Sequence, residues 1–217
     1  MPALAYDVIL DPRIVNQMLA EIGKDYDRSK NAPKASDRLD ALYAMGETSL
    51  DLADLMSKDK SAHGNIDPAL GAVIQRRLKP YGVNIVEDKL GYHYDLAAFR
   101  EYLRVAPAGE RAADARYALI GFDEPGDNIP ATQKSIAGKE DFIRQYPKYS
   151  EMSLIKFLLA QQHVHLARLY EAQKNAALAA QQRQKAADLY RQIVKEFPQS
   201  EEADAAADYL AQTGSKK

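Results

Sequence analysis

Apolar residues recur in steps of three and four along most of the chain, which is the spacing of one helical face. Two early helices are predicted to begin at Asp11-Pro12 and Asp67-Pro68, because aspartate caps a helix start and proline suits its first position. A longer helix is predicted from Ser36 to about Ser57, with polar loops at 26–35 and 58–65. The expected apolar stripe of the helix after Asp11-Pro12 is Ile14, Met18, Leu19 and Ile22. That of the long helix is Leu39, Leu42, Met45, Ser49, Leu52 and Met56, and that of the helix after Asp67-Pro68 is Leu70, Val73, Ile74 and Leu78.

The segment 81–92 interrupts this helical pattern. Val83, Ile85 and Val86 lie close together between two glycines, and periodicity leaves two interpretations open, a short strand and an extended connector. After this segment the pattern becomes regular again. It predicts helices at 94–105, 110–122, 132–146, 151–173, 177–197 and 201–212, with an exposed loop at 121–130.

One pattern is repeated three times in the second half of the chain, around Pro107, Pro147 and Pro198. An apolar helical run stops at each proline, because proline lacks an N–H and disfavours helical geometry in the residue before it. The apolar positions around the three prolines share one helix face, so they are predicted to be buried. Before the proline they are Tyr102, Phe142 and Ile193. After it they are Ala112, Ala115 and Leu119 in the Pro107 unit, Met152, Ile155 and Leu159 in the Pro147 unit, and Ala203, Ala206 and Leu210 in the Pro198 unit.

The residues that follow each proline carry helix-start signals. A small residue is the predicted N-cap, and the glutamate after it lies at the positive end of the next helix dipole. The pairs are Gly109 and Glu110, Ser150 and Glu151, and Ser200 and Glu201.

These units resemble the tetratricopeptide-like repeats of bacterial envelope proteins, such as the outer-membrane assembly lipoprotein and the periplasmic coordinator of cell-envelope constriction. The resemblance is carried by Pro198 with Ser200, Ala206 and Leu210, and then by the Pro107 unit. It implies an all-α fold, a right-handed solenoid of helical hairpins over residues 93–213. Residues 1–92 would then be a helical N-terminal region, either one degenerate repeat or an unrelated helical cap, and residues 214–217 a disordered tail.

The same resemblance implies a function. A tetratricopeptide-like solenoid is a non-catalytic scaffold, and we expect it to bind a peptide or partner protein in the bacterial cell envelope. One alternative is a structural homo-oligomer formed by stacking of the terminal helix 201–212. Another is an enzyme whose site lies in the helical array.

Composition narrows the partner classes. The chain has 217 residues, 46% apolar and 28% charged, which is ordinary for a globular protein with one core. A net charge of −2 provides no basic field, so no nucleic-acid partner is predicted. No apolar stretch approaches the roughly 20 residues that cross a bilayer, so no membrane span is predicted. The absence of cysteine excludes disulfides and thiolate nucleophiles.

The location of the protein has two interpretations. Ala3-Leu4-Ala5 resembles the end of a secretory cleavage site, although the charged and apolar regions that precede such a site are missing. If a signal peptide has been removed, the protein is periplasmic or secreted. If the motif occurs by chance in an alanine-rich chain, a cytoplasmic location is the alternative.

Catalytic chemistry has little support in the sequence. His163 and His165 lie two residues apart on a predicted helix, roughly 200° around its axis, so they cannot share a metal. No nucleophile elbow, phosphate loop or dinucleotide fingerprint is present. We therefore predict that the protein is not an enzyme and has no catalytic residue, cofactor or metal site.

The resemblance also selects a candidate binding surface. In tetratricopeptide-like folds the first helix of each unit lines the concave face. Two cations on these helices would then clamp a carboxylate or an acidic peptide stretch, and a tyrosine would supply rigid contact area. The predicted groove residues are Arg116, Tyr117, Lys156, Gln162 and His163.

Overall fold

The computed structural model describes residues 10–89, 91–121, 126 and 128–214. These residues form an all-α structure with one short β-hairpin added. The chain divides into two compact units, Met1–Ala115 and Arg116–Lys217. The finer expectations, a right-handed tetratricopeptide-like solenoid and a helical N-terminal region ending at residue 92, stay predictions.

The first unit is built around its longest helix. Its elements are α1 (Pro12–Asn31), α2 (Ala35–His63), α3 (Pro68–Leu78), a 3₁₀ turn (Lys79–Tyr81), β1 (Ile85–Glu87), β2 (Tyr92–Tyr94) and α4 (Ala97–Val105). Helix α2 packs against α1, β2 and α4. Both predicted start signals are confirmed, because the Asp11 carboxylate accepts the Arg13 N–H and the Asp67 carboxylate accepts the Ala69 N–H, each at 2.8 Å.

The predicted polar loops at 26–35 and 58–65 are wrong for most of their length. Helix α1 continues to Asn31, and α2 begins at Ala35 and continues to His63. At these helix ends, polar residues pair along the helix, as in Asp25 with Arg28 (3.0 Å) and Asp54 with Lys58 (2.6 Å).

The buried face of α1 is also rotated from its predicted position. Val15, Leu19 and Ile22 are buried there, whereas Ile14 is 49% exposed. A run of adjacent apolar residues, Ile14 and Val15, allowed two stripes, and packing against α2 selects the one that contains Val15.

The segment 81–92 contains a strand, which decides between its two interpretations. Strand β1 pairs antiparallel with β2, with Ile85 opposite Tyr94. The Ser57 hydroxyl of α2 accepts the Tyr92 N–H at 2.7 Å and donates to the Tyr92 carbonyl at 2.9 Å. Gly91 lies at φ +144°, where a Cβ would be 2.7 Å from the Ser57 Oγ, so this close approach requires glycine.

The second unit is a series of helices, of which the last four pack in chain order. A helix that crosses the boundary, α5 (Ala112–Gly121), is followed by α6 (Ile129–Gln145), α7 (Met152–Ala172), α8 (Ala176–Glu196) and α9 (Glu201–Gly214). One apolar cluster joins α6, α7 and α8, and a second joins α7, α8 and α9. Buried alanines such as Ala160, Ala167 and Ala186 let the backbones approach closely.

Three sequence expectations fall on undescribed residues. Within the predicted loop 121–130, residues 122–125 and 127 lie outside the described part of the chain. The same holds for residues 215–217 of the predicted tail, while Gly214 ends α9. Ala3-Leu4-Ala5 also lies outside the described residues.

The three proline turns have one geometry. The residue before each proline has φ between −135° and −128° and ψ between 51° and 69°, and its N–H donates to the carbonyl four residues earlier. The N–H of the second residue after the proline then donates to the carbonyl of that cap residue. These second residues are Gly109, Tyr149 and Ser200, at donor–acceptor distances of 3.0 Å.

The predicted stripes around these turns are confirmed. All three residues that lie five positions before a proline, Tyr102, Phe142 and Ile193, are at most 3% exposed. Among the residues that follow, only Leu119 and Leu210 are half-buried rather than buried. The predicted cap Ser150 is wrong, because α7 begins at Met152 and its N-cap position is Glu151. Its unit has one extra residue, so Tyr149 makes the turn hydrogen bond that Gly109 and Ser200 make in the other two units. Ser200 does cap α9, where its hydroxyl accepts the Ala203 N–H at 3.2 Å.

Candidate functional site

A groove of about 420 Å³ lies in the second unit along α7, with α6 on one side and α8 on the other. Because consecutive helices joined by short turns are antiparallel, α6 and α8 both run opposite to α7. The groove is lined by Glu140 and Ile143 of α6, by Lys156, Leu159 and His163 of α7, and by Lys185, Asp188, Leu189 and Gln192 of α8.

The floor of the groove is apolar. Leu159 is 3% exposed and belongs to the core shared by α6, α7 and α8. Ile143 of α6 and Leu189 of α8 are half-buried, pack against the same core and complete the floor on either side of Leu159. The groove therefore offers a strip of side chains that still expose apolar surface, and covering it would remove this surface from water.

His163 lies on the floor, 3% exposed. Its Nδ1 donates to the Gln182 Oε1 at 2.8 Å, which fixes the ring between α7 and α8. Burial lowers the pKa of His163 below its usual 6.5, and the nearby Lys185 charge lowers it further; the hydrogen bond to Gln182 and the Glu140 charge act in the opposite direction. The ring is therefore neutral at pH 7 and packs as part of the floor.

Lys156 closes one end of the groove. Its side chain is only 11% exposed, and the Nζ lies 2.5 Å from the Glu196 Oε2. The same Nζ is 5.6 Å from the centroid of the Phe197 ring, within the range of a cation–π contact. Because Glu196 already neutralises this lysine, the end of the groove near Lys156 carries little net charge.

The opposite end of the groove is charged on both walls. Glu140 of α6 and Lys185 of α8 are exposed, and both act electrostatically on His163, which lies between them. Neither forms an ion pair with any residue that the structure describes. Asp188, by contrast, is held by Arg191 at 2.5 Å and by Gln184 at 3.0 Å.

The groove contains two of the five residues predicted for binding, Lys156 and His163. Gln162 is buried at 4% exposure and donates to the Ser135 Oγ at 2.5 Å, so it joins α6 to α7 inside the unit. Tyr117 is half-buried and packs against the rings of Phe142 and Tyr149, with centroids 6.3 and 5.2 Å away. Burial raises its pKa.

Arg116, the fifth predicted residue, is half-buried on α5 and does not line the groove. Its Nε is buried, and no described residue accepts a hydrogen bond from it.

Neither wall of the groove is among the residues predicted from the sequence. The predicted residues all lie on the first helix of a unit, whereas α6 and α8 supply six of the nine described lining residues. A signal was present on α8, because Lys185, Asp188, Leu189 and Gln192 follow the spacing of one helical face. That face is mostly polar, so it has the pattern of an ordinary solvated surface.

Further cavities lie among the described residues of the first unit. One, of about 310 Å³, is mainly polar and lies between Asp40, Tyr43 and Arg111. Another, of about 380 Å³, lies between α2, α3 and the hairpin. In the first of them, the Tyr43 hydroxyl donates to Glu47 at 3.0 Å and the Tyr43 ring contacts Arg111, so this tyrosine is engaged within the protein.

Two kinds of feature are not found among the described residues, a cluster of metal ligands and a membrane-spanning helix. No three histidine, aspartate or glutamate side chains in this part of the chain come together as a metal site would require. The described helices include none with the length and apolar character of a membrane span.

Comparison with known proteins assigns no family: no family model matches the chain, and no curated protein sequence matches it. Fold and site together define a helical module with an open groove, and its function has to be inferred from that groove.

The buried histidine gives a prediction for stability. Because the folded state keeps His163 neutral and the unfolded state takes up a proton below about pH 6.5, stability is fully present above that pH and falls as the pH decreases below it. We expect the midpoint of urea unfolding to fall more between pH 7.5 and 5.5 in the wild type than in His163→Gln. Gln161→Ala, an exposed position two residues away without a titratable side chain, is the matched control and should keep the wild-type slope. Equal slopes for His163→Gln and the wild type would contradict this role.

Proposed function

We propose that the second unit is a non-catalytic protein-binding module and that it docks a segment of a partner protein in the groove between α6 and α8. The observation that carries the proposal is the pairing of an apolar floor with a charged rim. Ile143, Leu159 and Leu189 form the floor, and Glu140 and Lys185 stand at the rim. An apolar centre surrounded by polar residues is the usual anatomy of a protein interface.

The proposal assigns no catalytic residue and no cofactor to the protein. Tetratricopeptide-like organisation and a location in the bacterial cell envelope also belong to it, and both rest on the sequence resemblance around Pro107 and Pro198. They are independent of the groove, so the groove can be tested without assuming either.

Site-specific photo-crosslinking in the native host tests the proposal. A photoreactive amino acid is placed at Gln192, which is exposed and lines the groove, and in a control at Gln181, which is exposed on the same helix outside the groove. We expect a discrete crosslinked partner at position 192 only, identified by mass spectrometry. Leu189→Glu should remove this product, since it places a charge in the apolar floor, and circular dichroism checks that the variant stays folded. The same products from both positions, or products that Leu189→Glu leaves unchanged, would contradict the proposal.

A further inference from the structure

The charges at the rim of the groove are arranged asymmetrically, and this constrains what binds. At the level of His163, the α6 wall presents the Glu140 carboxylate and the α8 wall presents the Lys185 ammonium group. Neither charge is neutralised by a described residue, whereas Lys156 at the other end is paired with Glu196. One end of the groove is therefore polarised across its width and the other end is neutral.

From this arrangement we infer that the groove binds one amphipathic helix of a partner protein. The helix places an apolar residue over Leu159, a basic residue toward Glu140 and an acidic residue toward Lys185. This inference rests on the proposed function and adds the conformation and the charge order of the bound segment.

A helix fits the groove better than an extended peptide for two reasons. The described part of the second unit contains no strand, so an extended segment would have no sheet edge to satisfy its backbone N–H and C=O groups. The described lining residues also include no Phe, Tyr or Trp side chain, and rings of this kind are what a polyproline segment docks against. A helix satisfies its own backbone and needs only side-chain contacts.

The dimensions of the floor agree with two helical turns. Lys156, Leu159 and His163 form one stripe along α7, and a separation of seven residues corresponds to roughly 10 Å. On α8 the lining residues repeat at three-, four- and seven-residue intervals. A partner helix lying along these stripes would present its own anchors with the same period.

Charge order supplies the specificity. If the bound helix were turned so that its basic and acidic residues exchanged sides, like charges would meet at Glu140 and at Lys185. Both side chains are exposed and unpaired within the described chain, so each can be replaced with little effect on folding.

The test is a displayed library of helix-forming peptides of about four turns, with one face randomised. It is selected separately against the wild type and against Glu140→Lys/Lys185→Glu. We expect the wild type to enrich peptides with a basic residue on one side of a central apolar residue and an acidic residue on the other. The charge-exchanged protein should enrich the opposite order.

The effect of the charge exchange on peptide affinity can be stated as a fold change. A peptide selected on the wild type should bind the charge-exchanged protein about tenfold more weakly by fluorescence anisotropy, because two exposed pairs become two repulsions. The control is Lys134→Glu/Arg144→Glu, which changes two exposed charges of α6 outside the groove and should leave the peptide's affinity unchanged.

The outcomes separate this inference from the proposed function. The inference is overturned if the enriched peptides lack the charge order, or if they bind the wild type and Glu140→Lys/Lys185→Glu equally well. A crosslinked partner at Gln192 would in that case still support the proposed protein-binding function. A third selection uses Leu189→Glu as the target. The inference is also overturned if the wild type enriches peptides no more than Leu189→Glu does. Self-association of the protein that Glu140→Lys/Lys185→Glu abolishes would identify a second copy as the occupant, and would overturn the inference as well.

Discussion

Replacing Tyr102 by alanine is expected to lower the free energy of unfolding by about 3–5 kcal/mol, the range found for truncation of a buried aromatic side chain. Tyr102 is 2% exposed on α4, and its ring centroid lies 6.0 Å from that of Tyr43. Its hydroxyl oxygen accepts the backbone N–H of Arg111 at 3.0 Å, just past the proline turn. Truncation therefore leaves both a cavity and an unsatisfied N–H. Urea titration followed by circular dichroism measures the loss.

Two further variants divide this loss into its parts. Tyr102→Phe keeps the ring and removes only the acceptor, so it should cost about 1–3 kcal/mol. Val105→Ala changes a residue of the same helix that is 52% exposed, and should stay within about 0.5 kcal/mol of the wild type. If Tyr102→Ala and Val105→Ala were equally stable, the buried position before the proline would not organise this turn.

The proline turns are the part of the structure that sequence predicts best. Proline constrains the residue before it directly, so Ala106, Tyr146 and Phe197 adopt nearly the same backbone angles in three different contexts. The buried stripes follow because the helices on both sides of each turn start in a fixed register. Helix starts after the turns are less well determined: α5 begins at Ala112 rather than Glu110, and the N-cap of α7 is Glu151 rather than Ser150.

Helix ends were predicted less well, for a physical reason. Residues 26–31 of α1 and 58–63 of α2 are mostly polar, and a polar segment has the same composition in a loop and in an exposed helical turn. Tertiary contacts decide between them. At the end of α2, the buried Asp59 carboxylate accepts the Leu10 N–H at 2.8 Å, which ties the last turn of α2 to the residue before the N-cap of α1. A contact across 49 residues leaves no local signal.

The groove, too, could be predicted only in part from the sequence. Lys156 and His163 can be selected from their places on one helix, but a binding groove also needs walls, and these come from α6 and α8. Helix packing decides which face of α8 is covered by α9 and which face stays open. Glu140 and Lys185 have the sequence pattern of solvated charges, and only their positions on either side of His163 distinguish them from the other charges of the unit.

Ala206→Leu is expected to destabilise the protein by about 1–3 kcal/mol through overpacking, with the effect concentrated in α9. Ala206 is fully buried and packs in the cluster that contains Ala160, Ala186 and Ile193. Space there is limited by alanines on the facing helices, so a larger side chain must push α9 away from α8. Hydrogen exchange of the α9 amides should show lost protection, and urea titration should show the loss in stability.

The chain offers matched controls on both sides of this position. Ala205 and Ala207 are exposed on the same helix, so Ala205→Leu and Ala207→Leu add the same side chain without entering the core. Both should stay within about 0.5 kcal/mol of the wild type, because leucine and alanine are both good helix formers. Equal stability of all three variants would mean that α9 does not pack through Ala206. Because Ala206 lies eight residues after Pro198, the burial of alanine at this repeated position would then lose its experimental support.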